Sequence, residues 1–176
     1  MRSFGRSFHF TFRQKKIVNQ AKKHQKQGGY IYRSCLPLCC ISPSSAVIKA
    51  NLFQELGCFD ENLPVCEDYD MWLRVTSKEP VLFVDEPLVV KHGGNPDQLS
   101  KAYWGMDRFR VLALEKILTQ GELKVLDKKA TYRELIKKLV ILISGGLKRR
   151  NLKLVERYIK KLKKWSILYL TEIEKR

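Results

Sequence analysis

The three carboxylates of Glu67, Asp68 and Asp70 are the side chains in this sequence best suited to acid–base chemistry. They lie within four consecutive positions and lead directly into an apolar run that begins at Met71 and contains no helix breaker. Like charges at such close spacing repel one another. A helix accommodates them best in its first turn, where free backbone N–H groups and the positive end of the dipole offset the repulsion. The pattern therefore predicts a helix that begins at this acidic cluster.

The cluster has two interpretations. Helical spacing directs Met71, Trp72 and Val75 toward a core and leaves a carboxylate at the mouth of a cleft, where it could act as a general base. Alternatively, the acidic first turn only stabilises the start of the helix, as is common in proteins. The cluster by itself does not separate these interpretations, so the surrounding motifs are needed.

Four motifs follow one another along the middle of the chain. They are I-S-P-S-S at 41–45, L-F-Q-E-L-G-C-F-D-E at 52–61, C-E-D-Y-D-M-W-L-R at 66–74 and G-G-N-P-D-Q-L-S at 93–100. In this order they resemble the C-terminal half of the catalytic domain of inverting family 2 glycosyltransferases, which have the GT-A fold and use nucleotide-sugar donors. The resemblance covers residues 13–118 and extends more loosely into the C-terminal tail.

The resemblance assigns roles to particular residues. It implies that Asp68 is the catalytic base, with Glu67 contacting the acceptor in the cleft and Asp70 supplying an orienting hydrogen bond. It also suggests substrate-binding residues, which are Ser42, Ser44, Ser45, Trp72, Lys91, His92, Gly93 and Gly94. For the serines the alternative is a turn that enters a strand, and for His92 it is a solvated loop.

The resemblance further implies a divalent metal ion, Mn²⁺ or Mg²⁺, in the complete enzyme. In that family an Asp-x-Asp motif precedes the base, but this chain has no Asp-x-Asp before residue 68. Asp68-Tyr69-Asp70 is interpreted as the base segment, so no metal ligand is assigned. We therefore expect the nucleotide-binding half to be missing and the chain to be inactive by itself.

The predicted fold class is α/β, a partial GT-A mixed sheet followed by an antiparallel helical tail. Three segments are expected: a basic, poorly patterned segment at 1–27, the glycosyltransferase-like part at 28–121 and the helical tail at 122–176. Residues 1–12 could form a strand, whereas 13–27 should be an exposed loop or a weak polar helix. Further strands are predicted at 46–48, 80–84 and 88–91, followed by a loop at 92–96.

Helices are predicted at 49–56 and 103–118, with Met106, Phe109, Leu112, Ala113 and Leu114 as the candidate core of the latter. Apolar spacing predicts two more helices. One contains Leu135 to Ile143 and is stopped by Gly145-Gly146, and the other contains Leu152, Val155, Tyr158, Ile159, Leu162 and Trp165. Short links should make these helices antiparallel neighbours.

The formal charge of +16 is unevenly distributed along the 176 residues. Residues 1–33 have nine Lys/Arg and no acid, 34–121 have eight against twelve, and 122–176 have seventeen against six. Basic flanks attract anionic lipid, phosphorylated ligands or nucleic acid. Without a nucleic-acid-reading motif we favour a nucleotide-sugar donor with a sugar or lipid-linked acceptor, and a peripheral anionic membrane contact. The basic face of the last helix could equally be simply solvated.

Five cysteines without a C-x2-C pair indicate free or buried thiols in a reducing compartment. No signal peptide is recognised, so a cytoplasmic location is expected, with possible attachment to the membrane surface. Unpaired strand edges around residues 81–84 would favour a homodimer or association. If the resemblance is misleading about catalysis, the alternative is a non-catalytic module that binds a partner protein or anionic membrane.

Overall fold

A computed structural model gives the architecture of residues 3–11, 16–18, 26–93 and 103–174. The chain divides into two compact units, Met1–Trp104 and Gly105–Arg176, called here the first and second units. The sequence analysis placed the corresponding boundary after residue 121. The structure assigns helix 107–120 to the second unit because the apolar face of this helix packs against the helix that follows it.

The first unit contains a three-stranded sheet with strand order β2-β1-β3. Strand β1, Ser3–Thr11, lies in the middle, antiparallel to β2, Lys16–Val18, and parallel to β3, Leu82–Gly93. Parallel neighbours need a long crossover, which is supplied here by the segment that carries the helices of this unit. The strand predicted within 1–12 is thus confirmed. The loop or helix predicted for 13–27 is wrong at 16–18, where pairing with β1 forms a strand.

Strand β3 contains an irregularity at its centre. Gly5 pairs with Val84 and Ser7 pairs with Val89, so β3 inserts additional residues between two matched positions. Pro87 lies within this insertion and has no N–H to donate to a ladder. The predicted interruption between 84 and 88 is therefore a bulge within one strand. The predicted loop at 92–96 is wrong at 92 and 93, which extend β3.

A second close contact fixes the beginning of β3. Gly29 exchanges two backbone hydrogen bonds with Val81, at 2.7 and 2.9 Å. A Cβ atom on Gly28 would lie 2.9 Å from the Val81 carbonyl oxygen. The first glycine of the pair is therefore required for close backbone approach, and the pair tethers residues 28 and 29 to the strand.

Three helices lie between the strands in the described part of the first unit. They are α1, Tyr32–Cys35, α2, Ala50–Glu55, and α3, Glu67–Lys78. Helix α3 is the most deeply buried, and its core residues include Met71, Trp72 and Val75, as their spacing predicted. Gly57, with φ of +85°, follows the end of α2 and confirms the predicted stop.

Two strand predictions for this unit need correction. Residues 46–48 do not form a strand of the described sheet, and the Val47 side chain is 66% exposed. The β-branched run misled the prediction: it follows the 3₁₀ turn Pro43–Ser45 outside the three-stranded sheet, and Ala46 and Ile48 are half-buried. Residues 82–84, predicted to be covered on both faces, are only half-buried.

The second unit consists of helices α4, Asp107–Gln120, α5, Val125–Lys148, and α6, Leu152–Glu174. Contacts join the beginning of α5 to the end of α6, since Lys128 pairs with Glu172 at 2.8 Å and Arg133 donates to the Tyr169 hydroxyl at 2.7 Å. The two helices are therefore antiparallel, as predicted. Leu112 and Ile159 were predicted core residues but are 42% and 49% exposed, because Val111, Leu114 and Ile117 of α4 and Val155 and Tyr158 of α6 provide the buried stripes.

The predicted stop of α5 at Gly145-Gly146 is wrong, because the helix continues to Lys148. Gly146 is buried where α6 approaches, and a Cβ atom there would lie 2.8 Å from Val155 Cγ2. A Cβ atom on Gly145 would instead meet the end of the flexible Arg149 side chain at 2.9 Å. Gly146 thus serves close helix packing, while Gly145 has no comparable packing requirement.

This difference generates a prediction for a matched pair of variants. Gly145→Ala should stabilise the protein by about 0.5–1 kcal/mol because alanine favours the helix over glycine. Gly146→Ala should instead destabilise it by about 1–3 kcal/mol because the added methyl overpacks the contact with Val155. Urea unfolding followed by far-UV circular dichroism measures both, and equal effects would contradict the assigned packing role.

Candidate functional site

The acidic cluster forms the first turn of α3, as the sequence predicted. The helix begins at Glu67, and Glu67, Asp68 and Asp70 all lie in its first turn. The residue before it, Cys66, has left-handed backbone angles of φ 65° and ψ 18° and supplies no side-chain cap. A left-handed non-glycine residue is uncommon and is maintained only where the surroundings enforce it. The chain thus turns sharply immediately before the three carboxylates.

Burial separates the carboxylates into two groups. Asp70 is 2% exposed, whereas Glu67 and Asp68 are half-buried. Asp70 Oδ2 accepts hydrogen bonds from Arg74 Nε at 3.0 Å and Nη2 at 2.7 Å. The same guanidinium donates to the carbonyl oxygens of Leu56 and Cys58. Asp70 therefore orients Arg74, which ties α3 to the segment after α2, and a role in substrate chemistry stays a prediction.

Asp68 is held by one bond to each carboxylate oxygen. Oδ1 accepts from the backbone N–H of Tyr69 at 2.6 Å, and Oδ2 accepts from the Cys39 thiol at 3.2 Å. Burial raises the pKa of the Cys39 thiol, and the neighbouring Asp68 charge raises it further, so this sulphur remains a protonated donor. The carboxylate is thus positioned from two sides while remaining half-buried.

Cys39 also places Asp68 next to a predicted substrate segment. Its sulphur lies 3.1 Å from the carbonyl oxygen of Ile41, which directly precedes Ser42. Tyr69 makes a second link, since its hydroxyl donates to the Leu36 carbonyl at 2.6 Å. Sequence reasoning missed Cys39, because no residue spacing relates position 39 to position 68 before the chain is folded.

The predicted serine residues form a compact turn. Pro43–Ser45 is a 3₁₀ helix, and the Ser45 hydroxyl donates to the Ser42 carbonyl at 3.1 Å. Ser44 is exposed, while Ser42 and Ser45 are half-buried. The Ser45 hydroxyl therefore stabilises the turn, and substrate binding by the three serines stays a prediction.

The remaining predicted site residues are distributed differently. Trp72 is 3% exposed and belongs to the core of the first unit. Lys91, His92 and Gly93 lie at the end of β3, where they pair with residues 9–11 of β1. Gly94 lies outside the described residues. Sugar or phosphate binding by these residues stays a prediction.

The described residues do not provide a donor set for a divalent ion. Within them, no group of three His, Cys, Asp or Glu side chains converges on a point that could hold a metal. The ion that the family resemblance implies for the complete enzyme stays a prediction, and no chemical step is assigned to it.

An open cavity of about 600 Å³ lies elsewhere in the first unit. It is lined by Gly29, Lys49, Asn51, Leu52, Glu55 and the segment 79–82. None of the predicted site residues lines it. The half-buried carboxylates therefore remain the candidate site.

Comparison with known proteins supports a glycosyltransferase relationship. The chain is 39% identical over 70 residues to an uncharacterized glycosyltransferase of Rickettsia felis. This match covers 39% of this chain and 12% of that protein. It is 37% identical over 70 residues to an uncharacterized glycosyltransferase of Rickettsia conorii, with 39% of this chain and 11% of that protein covered. The match thus spans about an eighth of these relatives or less. No family model and no solved structure matches the chain.

The different burial of Asp70 and Glu67 generates a stability prediction. Asp70→Ala should lower the free energy of unfolding by about 3 kcal/mol because it leaves the Arg74 guanidinium largely buried without its carboxylate. Glu67→Ala, in the same helical turn but half-exposed, should change it by less than about 1 kcal/mol.

Urea unfolding monitored by circular dichroism measures both variants. Arg74→Met completes a double-mutant cycle, and the double variant should lose at least about 1 kcal/mol less than the sum of the two single losses, because the ion pair is broken only once. Losses that simply add would contradict the pairing as the source of the effect.

Proposed function

We propose that this chain is the acceptor-side part of an inverting family 2 glycosyltransferase with the GT-A fold, and that Asp68 is its general base. One observation carries the proposal. Asp68 is a half-buried carboxylate, fixed by bonds from Tyr69 and Cys39, at the start of a helix whose body is buried in the core. The similarity to proteins named glycosyltransferases supports the reaction class.

Asp68 retains the capacity to bind an acceptor hydroxyl. A carboxylate offers about four lone-pair sites, and the bonds from Tyr69 and Cys39 occupy one on each oxygen. A hydroxyl that donates to a remaining site would point its hydrogen at the carboxylate and leave its oxygen lone pairs free on the opposite side. This arrangement prepares the hydroxyl for deprotonation.

In the proposed reaction the acceptor oxygen attacks the anomeric carbon of the donor from the side opposite the nucleotide. Its proton passes to Asp68 as the new glycosidic bond forms and the bond to the diphosphate oxygen breaks. The electron pair of the broken bond leaves with the nucleoside diphosphate, and the anomeric configuration inverts. General base catalysis of this kind contributes a factor of about 10² to 10⁴.

The neighbouring residues have supporting roles in this proposal. Glu67 is half-buried beside Asp68 and would contact a second hydroxyl of a sugar or lipid-linked acceptor. Ser44, exposed on its turn, would bind along the same acceptor. Donor binding and neutralisation of the leaving diphosphate are not assigned to the described residues.

Acceptor binding tests the site without requiring turnover. On a saccharide array, the chain should bind a subset of glycans, and Asp68→Ala should weaken that binding about 10- to 100-fold by removing a charge-assisted hydrogen bond. Glu61→Ala, which removes an exposed carboxylate from the same unit, is the matched control. Binding that survives Asp68→Ala unchanged, or an array with no bound glycan, would contradict the proposed site.

Calorimetry with nucleotide-sugars tests the expectation about the donor. Residues 1–176 should show no micromolar binding with or without Mn²⁺, since the described residues offer neither a metal donor set nor an assigned nucleotide site. Micromolar binding would show that this chain holds the donor.

The second unit supports a second candidate function, attachment to an anionic membrane surface. Residues 105–176 contain twenty Lys/Arg against eight Asp/Glu. Two of these lysines are turned inward, since Lys138 pairs with Asp107 and Glu134, and Lys161 pairs with Glu115. On α6, Lys153, Arg157, Lys160 and Lys164 are exposed on one face, which continues into Ile167 and Leu168, 54% and 40% exposed.

A basic face with apolar residues at one end suits the headgroup layer of a bilayer. None of the described helices combines the length and apolar content needed to cross a membrane. The proposed attachment is therefore by the surface of α6, and it is compatible with a lipid-linked acceptor.

Sedimentation with vesicles tests this attachment. Vesicles that contain phosphatidylserine should bind the protein at low salt and release it at high salt, and Lys153→Glu/Arg157→Glu should weaken binding at least about tenfold, since each basic residue contributes about 1 kcal/mol. The control is Lys49→Glu/Lys78→Glu, which makes the same charge change on the first unit. Equal loss in both variants would indicate a general charge effect and contradict attachment by α6.

A further inference from the structure

Three of the five cysteines lie within six residues of one another, beside the candidate site. Cys35 ends helix α1, and Cys39 and Cys40 follow after a short bend. All five cysteines are free thiols. The sulphur atoms of these three cysteines have different contacts, and the contacts identify Cys35 and Cys40 as a pair.

The sulphur atoms of Cys35 and Cys40 are 2.8 Å apart. A disulfide bond has a length of about 2.05 Å, so the two thiols need only a small approach to bond. The Cys39 sulphur, although it belongs to the residue next to Cys40, has its hydrogen bonds to Asp68 and to the Ile41 carbonyl. The short sulphur–sulphur contact therefore pairs Cys40 with Cys35, while Cys39 is bonded to Asp68.

Exposure gives the two thiols different roles. Cys35 is 1% exposed, whereas Cys40 is half-buried and is therefore the more accessible of the two. The Lys26 ammonium donates to the Cys40 carbonyl, which places a positive charge close to this sulphur. Cys40 is the more accessible thiol and lies near a cation, and Cys35 is a buried thiol in contact with it. This arrangement suits Cys40 as the attacking cysteine and Cys35 as the resolving cysteine.

We propose that Cys35 and Cys40 form a thiol–disulfide exchange site that accepts low-molecular-weight disulfides of the glutathione class. The Cys40 thiolate attacks one sulphur of glutathione disulfide, which forms a mixed disulfide and releases one glutathione thiolate. The Cys35 sulphur then attacks the Cys40 sulphur, transfers its proton to the medium and releases the second glutathione thiolate. The protein dithiol is oxidised to a disulfide, and one glutathione disulfide is reduced to two glutathione molecules.

The electrostatics agree with this division of roles. The hydrogen bond from Cys35 lowers the pKa of the Cys40 thiol, and Lys26 lowers it further, against an opposing effect of burial. The same hydrogen bond and burial raise the pKa of Cys35, so its proton stays on sulphur until the mixed disulfide forms. The thiolate fraction needed for the first attack is therefore on Cys40.

The site does not depend on the proposed glycosyltransferase activity, although it adjoins Asp68. A Cys35–Cys40 bridge would constrain the segment that carries Cys39 and the Leu36 carbonyl, and these are the partners of Asp68 and Tyr69. Any effect on Asp68 rests on the proposed function. The exchange chemistry itself can be tested separately.

The test exposes the folded full chain to glutathione disulfide, then denatures it, blocks the remaining thiols with iodoacetamide and digests the protein with trypsin. Residues 34–49 form one tryptic peptide that contains Cys35, Cys39 and Cys40, and residues 50–74 form another that contains Cys58 and Cys66. We expect the first peptide to lose two hydrogen atoms and retain one alkylated cysteine, at Cys39. The second peptide should remain fully alkylated and serves as the internal control.

Serine variants assign the two roles. Cys39→Ser should leave the bridge unchanged, whereas Cys35→Ser should accumulate a single glutathione on Cys40. Cys40→Ser should not form the bridge, and any glutathione adduct on its remaining cysteines should form at least tenfold more slowly than the wild-type bridge. Fragment spectra of the wild-type peptide locate the bridge independently of the variants, which keeps the test valid if a variant fails to fold. A bridge that includes Cys39, or a wild-type peptide that stays fully reduced in the folded protein, would overturn the proposal.

Discussion

The ion pair between Asp70 and Arg74 is the contact on which the first unit depends most. A buried carboxylate is favourable only when its charge is matched and its lone pairs are occupied. Here a single guanidinium donates two bonds to Asp70 and also reaches two backbone carbonyl oxygens. This network fixes the start of α3 against the segment after α2. Glu67 and Asp68, the half-buried carboxylates, lie on the turn that the buried Asp70 anchors. Their positions therefore depend on the pairing of Asp70 with Arg74.

The acidic turn therefore combines structural and chemical roles in adjacent positions. Asp70 faces inward and positions Arg74, while Asp68 keeps a part of its surface open and bonds to Cys39. The sequence presents both as equivalent acidic residues. Their separation arises because helical spacing rotates positions 68 and 70 by about 200° relative to each other, so that they point to different sides of α3.

Local signals predicted the start of α3 well, because an acidic first turn and an unbroken apolar run act through neighbouring residues. The contacts of its side chains were not predictable, since Cys39 and the Leu56 carbonyl approach α3 only in the folded chain. The short strand Lys16–Val18 was missed for a similar reason: its formation depends on pairing with β1 and not on its own composition. Gly146 was misread as a helix stop, because glycine marks both chain reversal and close packing, and only the position of α6 distinguishes them.

The bulge of β3 has a consequence for the behaviour of the protein in solution. Strand β3 is at the edge of the described sheet, and Asp85 and Glu86 are exposed at the bulge, followed by Pro87. Negative charge, a missing amide hydrogen and an irregular register each oppose the addition of a foreign strand. Asp85, Glu86 and Pro87 thus disfavour the amyloid-like addition of strands from other molecules along this edge.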